Sequence, residues 1–317
     1  MTNKRMISNF TEKVDVKENR LLKFDPELLD LLLIDRTRTT DKKTHYILWA
    51  TDGYQDLGAK YKPNKEITAD LITGEHGEVI KPRTAKTKEE QKARTKGKAE
   101  VFTPSHIVND MNKLVEDNWK KSHKITTEWQ DFVKLTELEI TCGEAPFICS
   151  RYDATTSKPI ALTRRVGFLD RKMQQVNKHC ETKNEWLKWA KIAYQNSYGY
   201  EWQGDNILLA RENLLYTFID YYKAAEWNKN KSNPDVKLQK EIAEIISWNI
   251  WQMDGLKYTI PETETYAKIY DWEENKPVEY KQIVDEANNR RMNEEILLNF
   301  GAPLTPVPDK NKKRRKK

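Results

Sequence analysis

Four short stretches hold residue types that chemistry uses. Glu139-Ile-Thr-Cys-Gly-Glu-Ala-Pro-Phe147 ends an apolar strand pattern on an acid and turns at Cys142-Gly143. Glycine permits the tight turn, and backbone N–H groups presented there can meet an anion or a carboxylate. Tyr198-Gly-Tyr-Glu201 also ends a strand pattern on an acid, where a carboxylate can accept both hydroxyls of a ribose. Asn249-Ile-Trp-Gln-Met-Asp254-Gly-Leu256 puts a carboxylate on a turn, within the chemistry of a purine's exocyclic amine. Phe102-Thr103-Pro104 forms a loop entering a helix. Taken singly, each stretch also reads as an ordinary turn.

Other constellations carry less. The histidines His45, His76, His106, His123 and His179 form no H-x-x-x-H pair, so no metal site is expected. Cys142, Cys149 and Cys180 lack C-x-x-C spacing, which argues against a disulfide framework or a cysteine zinc site. Glu181-Thr182-Lys183, with Asp170 upstream, has nuclease-like spacing, but the segment reads as a loop between helices. No phosphate-binding G-x-x-x-x-G-K-[S/T] loop occurs.

The elements that must position these residues alternate. Asp25-Pro26 starts a helix over 26–35, with Asp25 as cap and Pro26 in the first turn. Residues 45–50 read as a strand ended by Asp52-Gly53, and 58–98 as irregular. Ser105 caps a helix whose Ile107, Val108, Met111, Leu114 and Val115 recur at helical spacing. Residues 129–141 end in a strand, a helix start is expected around Pro146 to Arg151, and 157–170 reads as a hairpin or strand pair. Helices follow over 184–195, 207–225 and 236–250, with a short strand at 198–201. Strands alternating with long helices predict an α/β fold with a mostly parallel sheet. In such sheets ligands sit beyond the carboxyl ends of the strands.

The 317 residues carry a net charge of +6. The last nine hold seven bases and one acid, which is the whole excess, so the remainder is formally neutral. A second block, 81–98, holds eight bases and two acids. Both blocks read as mobile segments suited to a polyanion, because neutralised phosphates release counterions. Lys312, Lys313, Arg314 and Arg315 are the DNA-contact candidates. No apolar run is long enough to span a membrane, and no signal-peptide core is evident. The expectation is a soluble, cytoplasmic protein.

The four stretches in this order resemble the N6-adenine DNA methyltransferases of restriction–modification systems, in particular the family called restriction endonuclease subunit M. The resemblance covers roughly residues 45–275. It implies an S-adenosylmethionine-dependent, Rossmann-like sheet with a mostly helical N-terminal region. It divides the chain into 1–40, an extension; 41–128, ending in the Phe-Thr-Pro loop and helix; 129–275, the cofactor domain; and 276–317, an extension with the basic tail. It implies that Phe102, Thr103, Pro104, Glu139, Cys142, Gly143, Phe147, Glu201 and Asp254 hold S-adenosylmethionine, with Glu201 on the ribose. Asp170, 27 residues after Gly143, competes for the ribose by its spacing, which is nearer the ~20 usual in dinucleotide-binding folds. Ala145 stands where the family has its second glycine. The Asn/Asp-Pro-Pro-Tyr/Phe motif that holds the flipped base is absent, since the chain has no Pro-Pro dipeptide. The expected function is therefore the cofactor-binding subunit of a DNA adenine methyltransferase, completed by a second chain bearing Asn-Pro-Pro-Tyr. The alternative is a noncatalytic, methyltransferase-like module that binds DNA or a partner. The catalytic residues stay unassigned.

Overall fold

The structure, a computed structural model, describes residues 18–98, 103–123, 128–156 and 158–289. Phe102 and the basic tail with Lys312, Lys313, Arg314 and Arg315 lie outside the described residues.

Three short strands form a parallel sheet in the order β1 (Glu137–Glu139), β2 (Ser197–Glu201), β3 (Ile250–Gln252). Leu138 lies opposite Tyr198, and Tyr200 opposite Trp251. The protein is thus mixed α/β, as the alternation predicts. Helices α7 (Phe168–His179) and α8 (Lys183–Gln195) connect β1 to β2, and α9 (Gly204–Ala224) and α10 (Val236–Asn249) connect β2 to β3. Both crossovers step in the same direction across the sheet, and the four helices pack on one another, as the usual right-handed connection would place them, on one face. The main core lies there: Trp186, Leu214, Phe218, Ile246 and Ile250 are buried in one cluster.

Further helices precede the sheet in the sequence: α1 (Glu18–Phe24), α2 (Pro26–Leu33), α3 (Ala69–Ile72), α4 (Lys88–Lys98), α5 (Ser105–His123) and α6 (Trp129–Lys134). Helix α2 begins as its sequence predicts, with the Asp25 carboxylate accepting the Leu28 amide at 3.1 Å. Its leucines join the same core. The joint is Arg211 of α9, which is fully buried. Its guanidinium donates to the carbonyls of Leu32 and Ile34 at the end of α2, Ser247 near the end of α10, and Ile250 of β3. Helix C-termini are partially negative and leave carbonyls unpaired, so one cation closes two helix ends at once. Burial brings this guanidinium down to about 9, which still leaves it charged at neutral pH.

The second face of the sheet carries Tyr198, Tyr200 and Trp251. A smaller cluster with Met253, Ile260 and Ile269 covers it, built on the hairpin β4 (Lys268–Asp271) and β5 (Lys276–Glu279). A helix over 280–289 follows, and Tyr280 packs on Tyr200 and Trp251. That cover stops at β2. Leu138, on the same face, is 38% exposed, and Ile140 just beyond it 63%.

Several expectations fail for identifiable reasons. Residues 45–50 make only isolated bridges. The amides of Ile47, Trp49 and Ala50 go to the Leu33, Lys65 and Pro63 carbonyls, and those of His45 and Leu48 to the Thr39 and Gln252 side chains, instead of a strand ladder. Residues 88–98 are helical rather than irregular. Thr87 and Glu90 exchange side chain and amide as a capping box. Ser105 is the first residue of α5 rather than its side-chain cap, and its amide is held by Asp153 at 3.0 Å. No helix starts between Pro146 and Arg151. The amides of Phe147, Ile148 and Ser150 are taken by the carboxylates of Glu139 and Asp170. Residues 157–170 form no strand pair: the described part makes one bridge, a single 3-10 turn and the start of α7.

Candidate functional site

A cavity of about 1140 Å³ opens at the carboxyl end of β1 and β2. Thr103, Glu139, Cys142, Gly143, Phe147 and Glu201 all line it. Six of the residues singled out in the sequence, separated by up to 98 positions, therefore meet at one place.

The loop after β1 is shaped for this. Thr141, Gly143 and Ala145 have φ of 50°, 55° and 63°, the left-handed region that favours glycine. Ala145, standing where the resemblance expects a glycine, adopts a glycine's conformation. Glu139 holds the far side of the loop by accepting the Ile148 amide at 3.1 Å. Glu144 anchors the middle, accepting the Arg83 amide at 2.6 Å and the Tyr152 hydroxyl. Glu201 closes the near side, accepting the Gly143 amide at 2.9 Å. Its other oxygen accepts the amides of Trp202 and Gln203, at 2.9 and 3.2 Å.

Burial pushes the Glu201 carboxyl up, against the three amides that pull it down. Burial pushes Glu139 well above the usual carboxylate range, with the Glu201 charge adding to it. The Cys142 thiol is pushed well up by burial and by both acids, so it stays a thiol and is no nucleophile at neutral pH.

The remaining candidates lie elsewhere. Pro104 does not line the cavity; its carbonyl accepts the Ile107 and Val108 amides and starts α5. Asp254 is two residues past β3 and is not on the wall. Its carboxylate accepts the Leu256 and Lys257 amides of its own turn. Asp170, the competing acid, is fully buried on Ser150 and away from the cavity. Thr182, inside the nuclease-like tripeptide, caps α8 by accepting the Glu185 amide. Among the described residues, no three His, Cys, Asp or Glu side chains cluster to hold a metal ion. No described helix is long and apolar enough to cross a membrane.

Sequence reasoning missed other wall residues. Trp202 lines the cavity, and its Nε1 donates to the Ala50 carbonyl at 2.7 Å. Asn206, in the first turn of α9, is buried on the wall with an unpartnered Oδ1. Both follow Glu201 closely enough that a strand-end acid opening a helix could have flagged them. Lys96 and Gly97 bring α4 to the rim.

The cavity's outer wall is apolar. Met111, Leu114 and Val115 of α5 line it, each more than half exposed, together with Leu138 and Ile140. The spacing that predicted a helix was correct, but only Val108 of that stripe is buried. On its far side β1 has no strand neighbour among the described residues.

Comparison with known protein families, with curated proteins and with solved structures gives no match.

Proposed function

We propose that this chain is the S-adenosylmethionine-binding subunit of a restriction–modification DNA adenine-N6 methyltransferase, of the restriction endonuclease subunit M type, acting in the cytoplasm. A second chain would complete it. The observation that carries the reading is the meeting of the Glu139–Phe147 loop and Glu201 over one cavity at the ends of adjacent parallel strands. The fold proposed is the Rossmann-like methyltransferase sheet, of which β1 to β3 form one half.

The residues present fit the cofactor. Glu201 uses three of roughly four acceptor positions on amides and keeps capacity for a ribose hydroxyl. Trp202 offers an indole on the wall, and Asn206 an unpaired buried amide oxygen. When bound, the cofactor supplies an activated methyl group. Glu201 would hold the ribose, the loop at Cys142 and Gly143 would approach closely, and the Phe102-Thr103-Pro104 stretch, whose Thr103 is on the wall, would help hold the cofactor. Asp254 is assigned to the adenine side. Base capture falls to the partner's Asn-Pro-Pro-Tyr segment, which orients the unstacked base.

The bare edge of β1 and the apolar face of α5 favour a partner over a self-sufficient enzyme. Parallel sheets are normally covered on both faces, and unpaired edges attract another strand. A strand from the second chain, running beside β1, would cover Leu138 and Ile140. The noncatalytic alternative, a methyltransferase-like module binding DNA or a partner, draws on one observation: Glu201 already accepts three amide protons.

The test is tritiated methyl transfer to duplex DNA by each chain separately and together, with calorimetry of S-adenosylmethionine binding. Activity is expected only in the mixture. Robust transfer by this chain alone would overturn the two-chain reading. No cofactor binding in any combination, even at millimolar concentration, would favour the noncatalytic module.

A further inference from the structure

Helix α4 has no apolar side chain larger than alanine: its sequence is Lys-Glu-Glu-Gln-Lys-Ala-Arg-Thr-Lys-Gly-Lys. Burial of apolar surface does not hold it. Its start is fixed by the Thr87–Glu90 capping box, Arg83 donates to its Thr95 at 3.0 Å, and a buried acid holds its Arg94. Asp205, at 0% exposure, accepts from Arg94 at 2.8 Å and from the Tyr54 hydroxyl at 2.6 Å, with the Lys86 ammonium 3.7 Å away. Arg94 also donates to Gln203. The helix therefore turns part of its charge inward.

The rest faces out. Lys88, Lys92 and Lys96 recur every four residues, which places them along one side of the helix about 6 Å apart. All three are exposed, and among the described residues none has a carboxylate within ion-pair distance. Like charges at this spacing repel one another and oppose the helix. A polyanion laid along the stripe removes that repulsion. The stripe ends at Lys96, on the rim of the cavity, so whatever it holds is led to the bare edge of β1. The absence of a large apolar side chain argues against a membrane surface, which needs an apolar face to insert.

We infer that α4 is a phosphodiester-binding rail, on which Lys88, Lys92 and Lys96 grip a nucleic-acid backbone and direct it to the cavity. The inference rests on the DNA reading above. It fails separately from the cofactor reading, because salt dependence reports on α4 and cofactor calorimetry on the cavity.

The experiment uses the full chain. Binding of a fluorescent duplex, and of one of its single strands, is measured by anisotropy over a range of salt. Wild type is compared with Lys88→Gln/Lys92→Gln/Lys96→Gln and with Lys229→Gln/Lys231→Gln/Lys237→Gln, which removes equal charge from an exposed segment elsewhere. The α4 variant should lower the slope of log K against log salt by up to about 2.7 on duplex or about 2.1 on single strands, from ~0.9 and ~0.7 per contact. Whichever strand state shows the larger loss identifies the source of the backbone. The distant variant should change the slope much less. Lys88→Arg/Lys92→Arg/Lys96→Arg should keep the wild-type slope, which separates lost charge from a misfolded helix. Equal slopes for the two glutamine variants would overturn the proposal. So would lysine-dependent binding to an acidic polypeptide, such as polyglutamate, with none to either DNA.

Discussion

The Gly143 amide donates to the Glu201 carboxylate across 2.9 Å, so the turn after β1 is fastened directly to the end of β2. The acid that would meet a ribose also holds the loop beside it. Glu201→Gln should therefore do more than remove charge. Both oxygens face amide donors, and the new side-chain amide would set a donor against one of them. Denaturant titration should show a loss of about 1–3 kcal/mol, with cofactor affinity falling in parallel. Unchanged stability would mean that these bonds do not hold the loop.

Asp205 should make stability acid-sensitive. Burial pushes its carboxyl up, but the charges of Arg94 and Lys86 and the Tyr54 hydroxyl outweigh this, and the net shift is downward. A carboxylate depressed by folding adds stability above its unfolded value, near 3.9. That stability is lost as pH falls through the still lower folded value. Wild type should lose stability below about pH 4, and Asp205→Asn should lack that component. At neutral pH the variant removes the carboxylate charge that faces Arg94 and Lys86 and should cost about 1–3 kcal/mol, with faster hydrogen exchange in α4. Parallel acid curves for the two proteins would count against this assignment.

Gly204 opens α9 against the backbone of the 45–50 segment. A Cβ there would lie 2.0 Å from the Leu48 carbonyl oxygen, and backbone cannot swing aside as a side-chain tip can. Gly204→Ala should cost about 1–3 kcal/mol or more and lower the thermal midpoint. A midpoint equal to wild type would show that α9 tolerates displacement.

Ile140 tests the bare edge. At 63% exposure, Ile140→Asp should leave the isolated chain within about 0.5 kcal/mol of wild type. It should weaken binding of the proposed partner at least tenfold in ultracentrifugation, because the interface would bury an unpaired charge. Full complex formation by this variant would place the partner elsewhere.

Much of the scaffold was legible in the sequence. Helices α8, α9 and α10 follow from long apolar periodicity, and α2 from Asp25-Pro26. The site was legible as order: acids ending strand patterns and a glycine turn between. The region from Pro146 to Asp170 was not, because its amides pair with Glu139 and Asp170 side chains and local pattern does not encode that. Helix α4 was misread because its base-rich composition hid the Thr87–Glu90 box, which was there to be seen. The α5 stripe marks the other limit. Periodicity finds an apolar face but cannot distinguish one packed within the chain from one left open.

Arg211 also sets a timetable. The carbonyls of Leu32 and Ile34 wait for a guanidinium 179 and 177 positions downstream. At about 5–20 residues per second, a ribosome takes roughly 9–36 s to bridge that interval. During it, Leu28, Leu29 and Leu32 lack the α9 and α10 surfaces that later bury them. The N-terminal helices are made first but can be locked only late, and nascent chains stopped before α9 are the ones expected to need a chaperone.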